Sequence, residues 1–280
     1  MAPISKSEDT RKLKILMLHG YTQSGPLFQA KTQRIKKLLE KSLASSPIKT
    51  DTDTDTNPPI NGIELIYPTG PFPVTSADLN GAEVREDANG WWKLCPRGEP
   101  QQGFSIGLSS IAKILQQQGP FDGIMGFSQG AAFAAMITSL LEPSRAQAFA
   151  NVKGGIAFPS SFAELTHPPL TFCVCFSGLL NKCPAYTAFY EPRIQTPVLH
   201  VLGSMDTIVE ESESLALAER CEGGGKGGVV RHTGTHTVPS SERDIAAVIQ
   251  FIRNVYAGEG NAKADEEEEE EDVLDMDMPF

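Results

Sequence analysis

Apolar and polar positions along this chain follow two periods, and the switches between them outline its elements. Leu13 to Leu18, "LKILML", is a short apolar run that ends in the turn residues "HGYTQSG", which predicts a buried strand followed by a loop. From Phe28 to Leu43 the period lengthens: Ile35, Leu38 and Leu39 recur at helical spacing between basic residues, the pattern of one amphipathic helix. "GIELIYPTGP" supplies a second strand, and Phe104, Leu108, Ile111 and Leu115 form one apolar face of a helix over Phe104 to Gln118. "FDGIMGF" reads as a strand and the small-residue run from Gln129 as a helix. "LTFCVCFSG" and "PVLHVLG" are buried strands and "GVVRH" a shorter one. Val209 to Cys221 and Ser240 to Tyr256 are helices, the latter with Ile245, Val248, Ile249 and Ile252 inward. Strands that are apolar throughout, alternating with helices, predict the α/β class: a mostly parallel central sheet covered by helices on both faces. Such a sheet carries its functional loops at the carboxyl ends of its strands.

Stretches without either period divide the chain. Residues 1–11 read as a flexible N-terminus, 12–257 as the α/β domain and 258–280 as a disordered acidic tail. Within the domain, 45–60 is a polar loop, and the Pro- and Ser-rich stretch from Glu142 to Pro169 (142–170) is irregular enough to be an insertion over the surface. Charge sharpens the tail. Of the formal net charge of -11, the segment from Asp265 onward contributes ten negatives, which leaves the remainder at -1. A run so self-repelling and so poor in apolar residues does not fold alone. Its first role is solubility, contact with a basic partner is its second, and nucleic acid is disfavoured by sign.

Several patterns resemble chemistry without meeting its requirements. From Asp53, the residues Asp53, Asp55, Asn57, Ile60 and Glu64 fall at calcium-loop positions, but Pro58 stands where the sharp turn needs glycine, and "IELIY" reads as a strand. "GGGKGG", Gly223 to Gly228, satisfies a dinucleotide fingerprint in letters only: the order is helix, glycines, strand, so no nicotinamide cofactor is expected. The five cysteines (Cys95, Cys173, Cys175, Cys183, Cys221) make neither a disulfide framework nor a zinc set. Cys173 and Cys175 alternate within a strand as small buried hydrophobes. No signal-type segment and no run approaching ~18 apolar residues occurs. The expectation is therefore a reducing intracellular compartment, the cytoplasm or also the nucleus, with no membrane span, no metal and no cofactor.

The chemistry gathers around "FDGIMGFSQGAAFAAM". Ser128 sits between Gly126 and Gly130 at a strand-to-helix turn, the context of a nucleophile elbow, where side chains at the two glycines would collide with neighbouring segments. A serine hydroxyl needs a general base, and the base needs an orienting carboxylate. "VLHVLGSMDTIV" offers Asp206 just past a strand end, and "VVRHTGTHTVP" offers two histidines. His232 lies at its strand's end and reads as structural, whereas His236 lies in the loop before the last helix and reads as the base. His200 reads as a hydrogen-bonded core residue, His167 belongs to the Pro-rich stretch, and His19 holds a loop. Asp122 and Asp244 are the wrong acids, one at the wrong end of its strand and one inside the last helix. Oxyanion donors would be the backbone amides of Gln129, at a helix N-terminus, and Tyr21, in the loop after the first strand. The pair Trp91 and Trp92 in "NGWWKL" is a candidate lining for a substrate pocket.

Taken in order, "LHGYTQSG", "GFSQGAAFAAM", "PVLHVLGSMDTIV" and "HTGTHTVP" resemble the serine hydrolase FSH family, over about Lys12 to Tyr256. The resemblance implies an α/β-hydrolase fold and a Ser, Asp, His triad falling on Ser128, Asp206 and His236. It also implies ester hydrolysis without a metal, with acyl thioesters on a carrier as the alternative substrate. An adjacent aromatic pair, here Trp91 and Trp92, belongs to the same resemblance. The "TDTDTDTNPP" loop, the stretch after Glu142 and the acidic tail depart from a minimal member, and Thr235 stands where many members carry a second glycine. The remaining reading is an idle scaffold that binds a partner through its tail. A small-molecule ester or thioester is the partner that the motifs themselves imply.

Overall fold

The computed structural model describes residues 10–49, 58–96, 98–222 and 228–258. The acidic tail from Asp265, the calcium-like positions Asp53, Asp55 and Asn57, and residues 223–227 of the glycine run lie outside them.

Strands form where the apolar runs predict them. β1 (Arg11–Leu18), α1 (Gly25–Lys31) and α2 (Gln33–Ser45) are followed by β2 (Ile60–Ile66), and a small antiparallel pair, β3 (Phe72–Pro73) with β4 (Asn89–Gly90), precedes α3 (Phe104–Gln118). Then come β5 (Gly123–Phe127), α4 (Gln129–Leu140), α5 (Arg145–Asn151), α6 (Ser160–Ala163), β6 (Phe172–Phe176), β7 (Val198–Gly203), α7 (Glu211–Ala218), β8 (Val229–His232) and α8 (Glu242–Tyr256). β2, β1, β5, β6, β7 and β8 lie side by side in that order, and each neighbouring pair runs parallel.

Strand alternation sends successive residues to opposite faces, and each face has its own core. Leu16, Leu18, Ile124, Cys173 and Cys175 pack under α3 and α4. Leu13, Ile15, Met17, Met125, Val174 and Val201 pack under Phe28 of α1, Ile35, Leu39 and Leu43 of α2, and Ile245, Val248 and Ile252 of α8. Each such fully buried aliphatic contributes about 1.5–3 kcal/mol. All of α4 is buried, which explains its alanines: a helix pressed on every side needs small residues. Ser241 caps α8 by accepting the Asp244 amide, so Asp244 serves a helix start.

Two expectations are corrected. The single helix over Phe28 to Leu43 is two helices broken at Thr32, whose hydroxyl bonds back to the Phe28 carbonyl at 2.8 Å and meets the Tyr67 hydroxyl at 2.7 Å. The stretch after Glu142 is not simply irregular surface. It carries α5 and α6, and its Phe149 and Phe162 enter the core beneath α3 and α4.

The connections place a crevice. The chain leaves β1 for β2 on one side and returns to β5 on the other, so the loops after β1 and β5 diverge around the line between those strands.

Candidate active site

Ser128 occupies that line. Its backbone is held at φ 53° and ψ −118°, a region that side chains rarely adopt, by β5 behind it and α4 ahead of it. The turn is tight enough to dictate both glycines. A Cβ on Gly126 would lie 2.1 Å from the Gly130 carbonyl oxygen, and one on Gly130 would lie 2.2 Å from that of Leu18 and 2.4 Å from that of His19. The Ser128 amide donates to the Phe176 carbonyl at 2.9 Å, which tethers the turn to the end of β6.

Two later loops bring their side chains to it. The His236 ring stands 3.0 Å from Ser128 Oγ through Nε2 and 2.7 Å from Asp206 Oδ2 through Nδ1. Asp206 follows β7 and accepts the amides of Ile208 at 2.9 Å and Val209 at 3.0 Å on its other oxygen. Burial alone would raise its pKa, but the Val209 amide, the His236 ring and the Ile208 amide outweigh that cost and hold it below the ordinary carboxylate value. An ionised Asp206 favours the tautomer with the proton on Nδ1, which leaves Nε2 free to accept from Ser128. Phe127 packs on the His236 ring at 4.8 Å between centroids. The row can take a proton from a serine hydroxyl and keep the resulting imidazolium beside a carboxylate.

The other histidines and acids separate from this row. His232 lies under the same loop, where its Nδ1 accepts the Gly234 amide at 3.1 Å. The Thr235 backbone, not its side chain, is what presses on Gly203. His19 holds a loop: its Nε2 accepts the Gly70 amide at 2.8 Å, and burial lowers its pKa to about 4. His167 accepts the Phe121 amide at 2.7 Å. Asp122, at the opposite edge of the sheet, accepts from Arg11 and from the Lys14 amide, both at 2.7 Å. His200 differs from expectation: it is buried in β7 with neither ring nitrogen hydrogen bonded to a described residue, because its neighbours across the sheet are Cys175 and Val229, and burial lowers its pKa to about 4.

A cavity of about 440 Å³ opens at Ser128, within the ~300–1,000 Å³ usual for small-molecule sites. Tyr21, Ser128, Gln129 and His236 line one end of it. Trp92, Leu94, Leu179, Leu180, Ile208 and Val209 make an apolar wall. Trp92 is thus where a pocket residue should be. Trp91 is not: it is wholly buried against Phe133 and His19 and does not line the cavity. Sequence reasoning also missed the Gln129 side chain, which turns away from solvent and bonds the backbone of Trp91 and Trp92. Leu179, Leu180 and Ile208 carried no signal, since their meeting depends on loops from different strands. Among the described residues, no group of three or more His, Cys, Asp or Glu is arranged to hold a metal ion, and no helix is long and apolar enough to cross a membrane.

The chain is similar to known proteins. The family described as "Serine hydrolase (FSH1)" matches residues 8–248. A Saccharomyces cerevisiae protein named family of serine hydrolases 3 is 28% identical over 95% of this chain and 97% of its own length. A Schizosaccharomyces pombe protein named dihydrofolate reductase is 32% identical over 82% of this chain but only 44% of its own length. With a second S. pombe protein, an uncharacterized hydrolase, the matched share is 51%, so this chain spans about half the length of some relatives it resembles. The crystal structure of Zea mays acyl-protein thioesterase 2 superposes with a TM-score of 0.53 at 19% identity, covering 89% of this chain and 96% of that one. Its likeness is one of fold, the α/β-hydrolase fold.

Proposed function

Because this chain belongs to the FSH1 family of serine hydrolases, we propose that it hydrolyses carboxylic esters of small or medium acyl groups through Ser128, His236 and Asp206. The observation that carries the reading is the hydrogen-bonded row from Asp206 through His236 to Ser128, open to an apolar cavity. As Ser128 Oγ bonds to the ester carbonyl carbon, His236 Nε2 takes its proton and the carbonyl π pair moves to oxygen. The amides of Gln129 and Tyr21 receive that negative charge. The pair returns, the alcohol leaves with the proton from His236, and the acyl group stays on Ser128. Water then adds by the same route, giving the acid and free serine. The Asp206 carboxylate keeps the imidazole oriented throughout and offsets its positive charge.

Cleavage of an acyl thioester would follow the same steps with a thiol departing, and kcat/KM on matched ester and thioester pairs separates the two. The reading is tested by fluorophosphonate labelling with peptide mapping and by Ser128→Ala. Ser128 should carry the label, and the variant should lose on the order of 10⁴-fold or more in kcat. Full esterase activity in the variant, or label elsewhere, would refute it.

A further inference from the structure

Gln129 is 5% exposed although it borders an open cavity, and both polar atoms of its amide group are hydrogen bonded. Oε1 accepts the Trp91 amide at 2.8 Å and Nε2 donates to the Trp92 carbonyl at 3.1 Å. One side chain thus grips two consecutive backbone groups, as a glutamine can and a glutamate or methionine cannot. The gripped segment reaches onward. The Trp91 indole, wholly buried, donates to the His19 carbonyl at 2.8 Å and lies on the His19 ring at 4.9 Å between centroids. Tyr21 follows in the same loop, and its ring packs on Gly90, where a Cβ would come within 2.7 Å of it. Behind Trp91, α3 approaches so closely that a Cβ on Gly107 would lie 2.3 Å from the Trp91 carbonyl oxygen.

We propose that the Gln129 side chain and Trp91 form a clamp that sets the spacing of the two backbone amides, Gln129 and Tyr21, that receive the oxyanion. Both are positioning residues, and the proposal rests on the reading of the site given above. The sheet alone brings the two loops near one another. The clamp ties them by a chain of directional bonds from the nucleophile turn, through residues 91 and 92, to the loop after β1. Trp92 also lines the acyl wall, so the same glutamine couples the wall that holds the acyl group to the donors that meet the developing charge. Oxyanion stabilisation depends steeply on donor placement: loss of one donor costs roughly 10²–10³ in kcat. Loosening both without deleting either should cost a tenth or so of that range.

The test compares the full chain with Gln129→Met, which keeps the backbone amide and side-chain length but neither bond, and with Trp91→Phe, which removes the indole donor and part of the ring while keeping an aromatic side chain there. For each, kcat and KM on a short-chain ester are measured beside inhibition by a trifluoromethyl ketone. Ser128 Oγ adds to that ketone's carbonyl carbon, its proton passes to His236, and the carbonyl oxygen becomes an alkoxide in the oxyanion site. The expected result for Gln129→Met is a fall in kcat of about tenfold or more, KM within about threefold, and ketone inhibition weakened in step with kcat. Trp91→Phe should move the same quantities less, and the double variant should fall short of the product of the two effects, because both break one chain. A purely structural role would lower the melting temperature while folded enzyme kept wild-type kcat and ketone affinity, and that result overturns the clamp. If Gln129→Met does not fold, Trp91→Phe decides alone by the same criteria. Wild-type protein labelled at Ser128 alongside unimpaired variants removes the clamp only, whereas an unlabelled wild type removes the catalytic reading with it.

Discussion

The two edges of the parallel sheet use polar side chains in opposite ways. At the amino-terminal edge, the buried charged side chains are paired with one another and with backbone groups. Glu142, at the end of α4, meets Arg145 at 2.5 Å with both side chains almost fully buried, and its other oxygen accepts the amides of Gln195 at 2.6 Å and Thr196 at 2.8 Å. Arg145 also donates to the carbonyls of Ala188, Pro192 and Arg193. Asp122 at the same edge takes Arg11, the Lys14 amide and the Tyr256 hydroxyl. At the carboxyl-terminal edge, Ser128 and His236 keep one side toward the cavity, and Ser128 holds a strained backbone. Burying a charge is costly unless partners are supplied, and at the first edge they are, so removing one of them should destabilise the fold. The second leaves a hydroxyl and a ring nitrogen available, which is what reaction with a substrate requires.

The contrast can be broken most strongly at Asp206. Asp206→Asn should lower kcat by about 10³–10⁴, as loss of the orienting carboxylate does in serine triads, with a melting temperature close to wild type. A large loss of stability instead would place Asp206 in the same class as Glu142. Next in size, Glu142→Ala leaves the Arg145 guanidinium buried without its partner and should cost about 3–5 kcal/mol in urea unfolding. The kcat of the folded variant should stay within about twofold; a drop comparable to that of Asp206→Asn would erase the distinction between the edges.

His200 belongs to neither edge and supplies the smallest effect. Burial lowers its pKa from 6.5 to about 4, so the unfolded chain takes up the proton first on acidification. The sign follows: the stability tied to neutral His200 is intact above pH 6.5, declines as pH falls toward 4, and totals about 3 kcal/mol. Urea unfolding across that range should give a flatter profile for His200→Leu than for wild type. An unchanged slope would mean that His200 is not the group responsible.

Much of this was legible beforehand for stated reasons. The helix expected over Phe104 to Gln118 is α3, because its four apolar positions on one face leave no other period. The strands agree because each contains an apolar run bounded by turn residues, although β1, β2 and β8 also carry charged residues. The break at Thr32 was not legible, since it depends on the Tyr67 hydroxyl reaching across from beyond β2. Nor were α5 and α6, whose short lengths are stabilised by Phe149 and Phe162 docking rather than by their own period. Gln129 looked like a backbone donor alone, because its side-chain partners lie in a segment almost forty positions earlier.

By itself, the sequence determined the α/β class, the turn that Gly126 and Gly130 force around Ser128, and the order in which a serine, an acid and a histidine follow successive strands. These are local facts: a period, a steric limit, a position in the chain. Only the tertiary structure decided that Trp91 is core while Trp92 faces the cavity, that His200 has no hydrogen-bonding partner among the described residues, and that Glu142 pairs with Arg145. Each of those depends on distances between segments remote in sequence, and such distances are set by how two cores pack on opposite faces of one sheet.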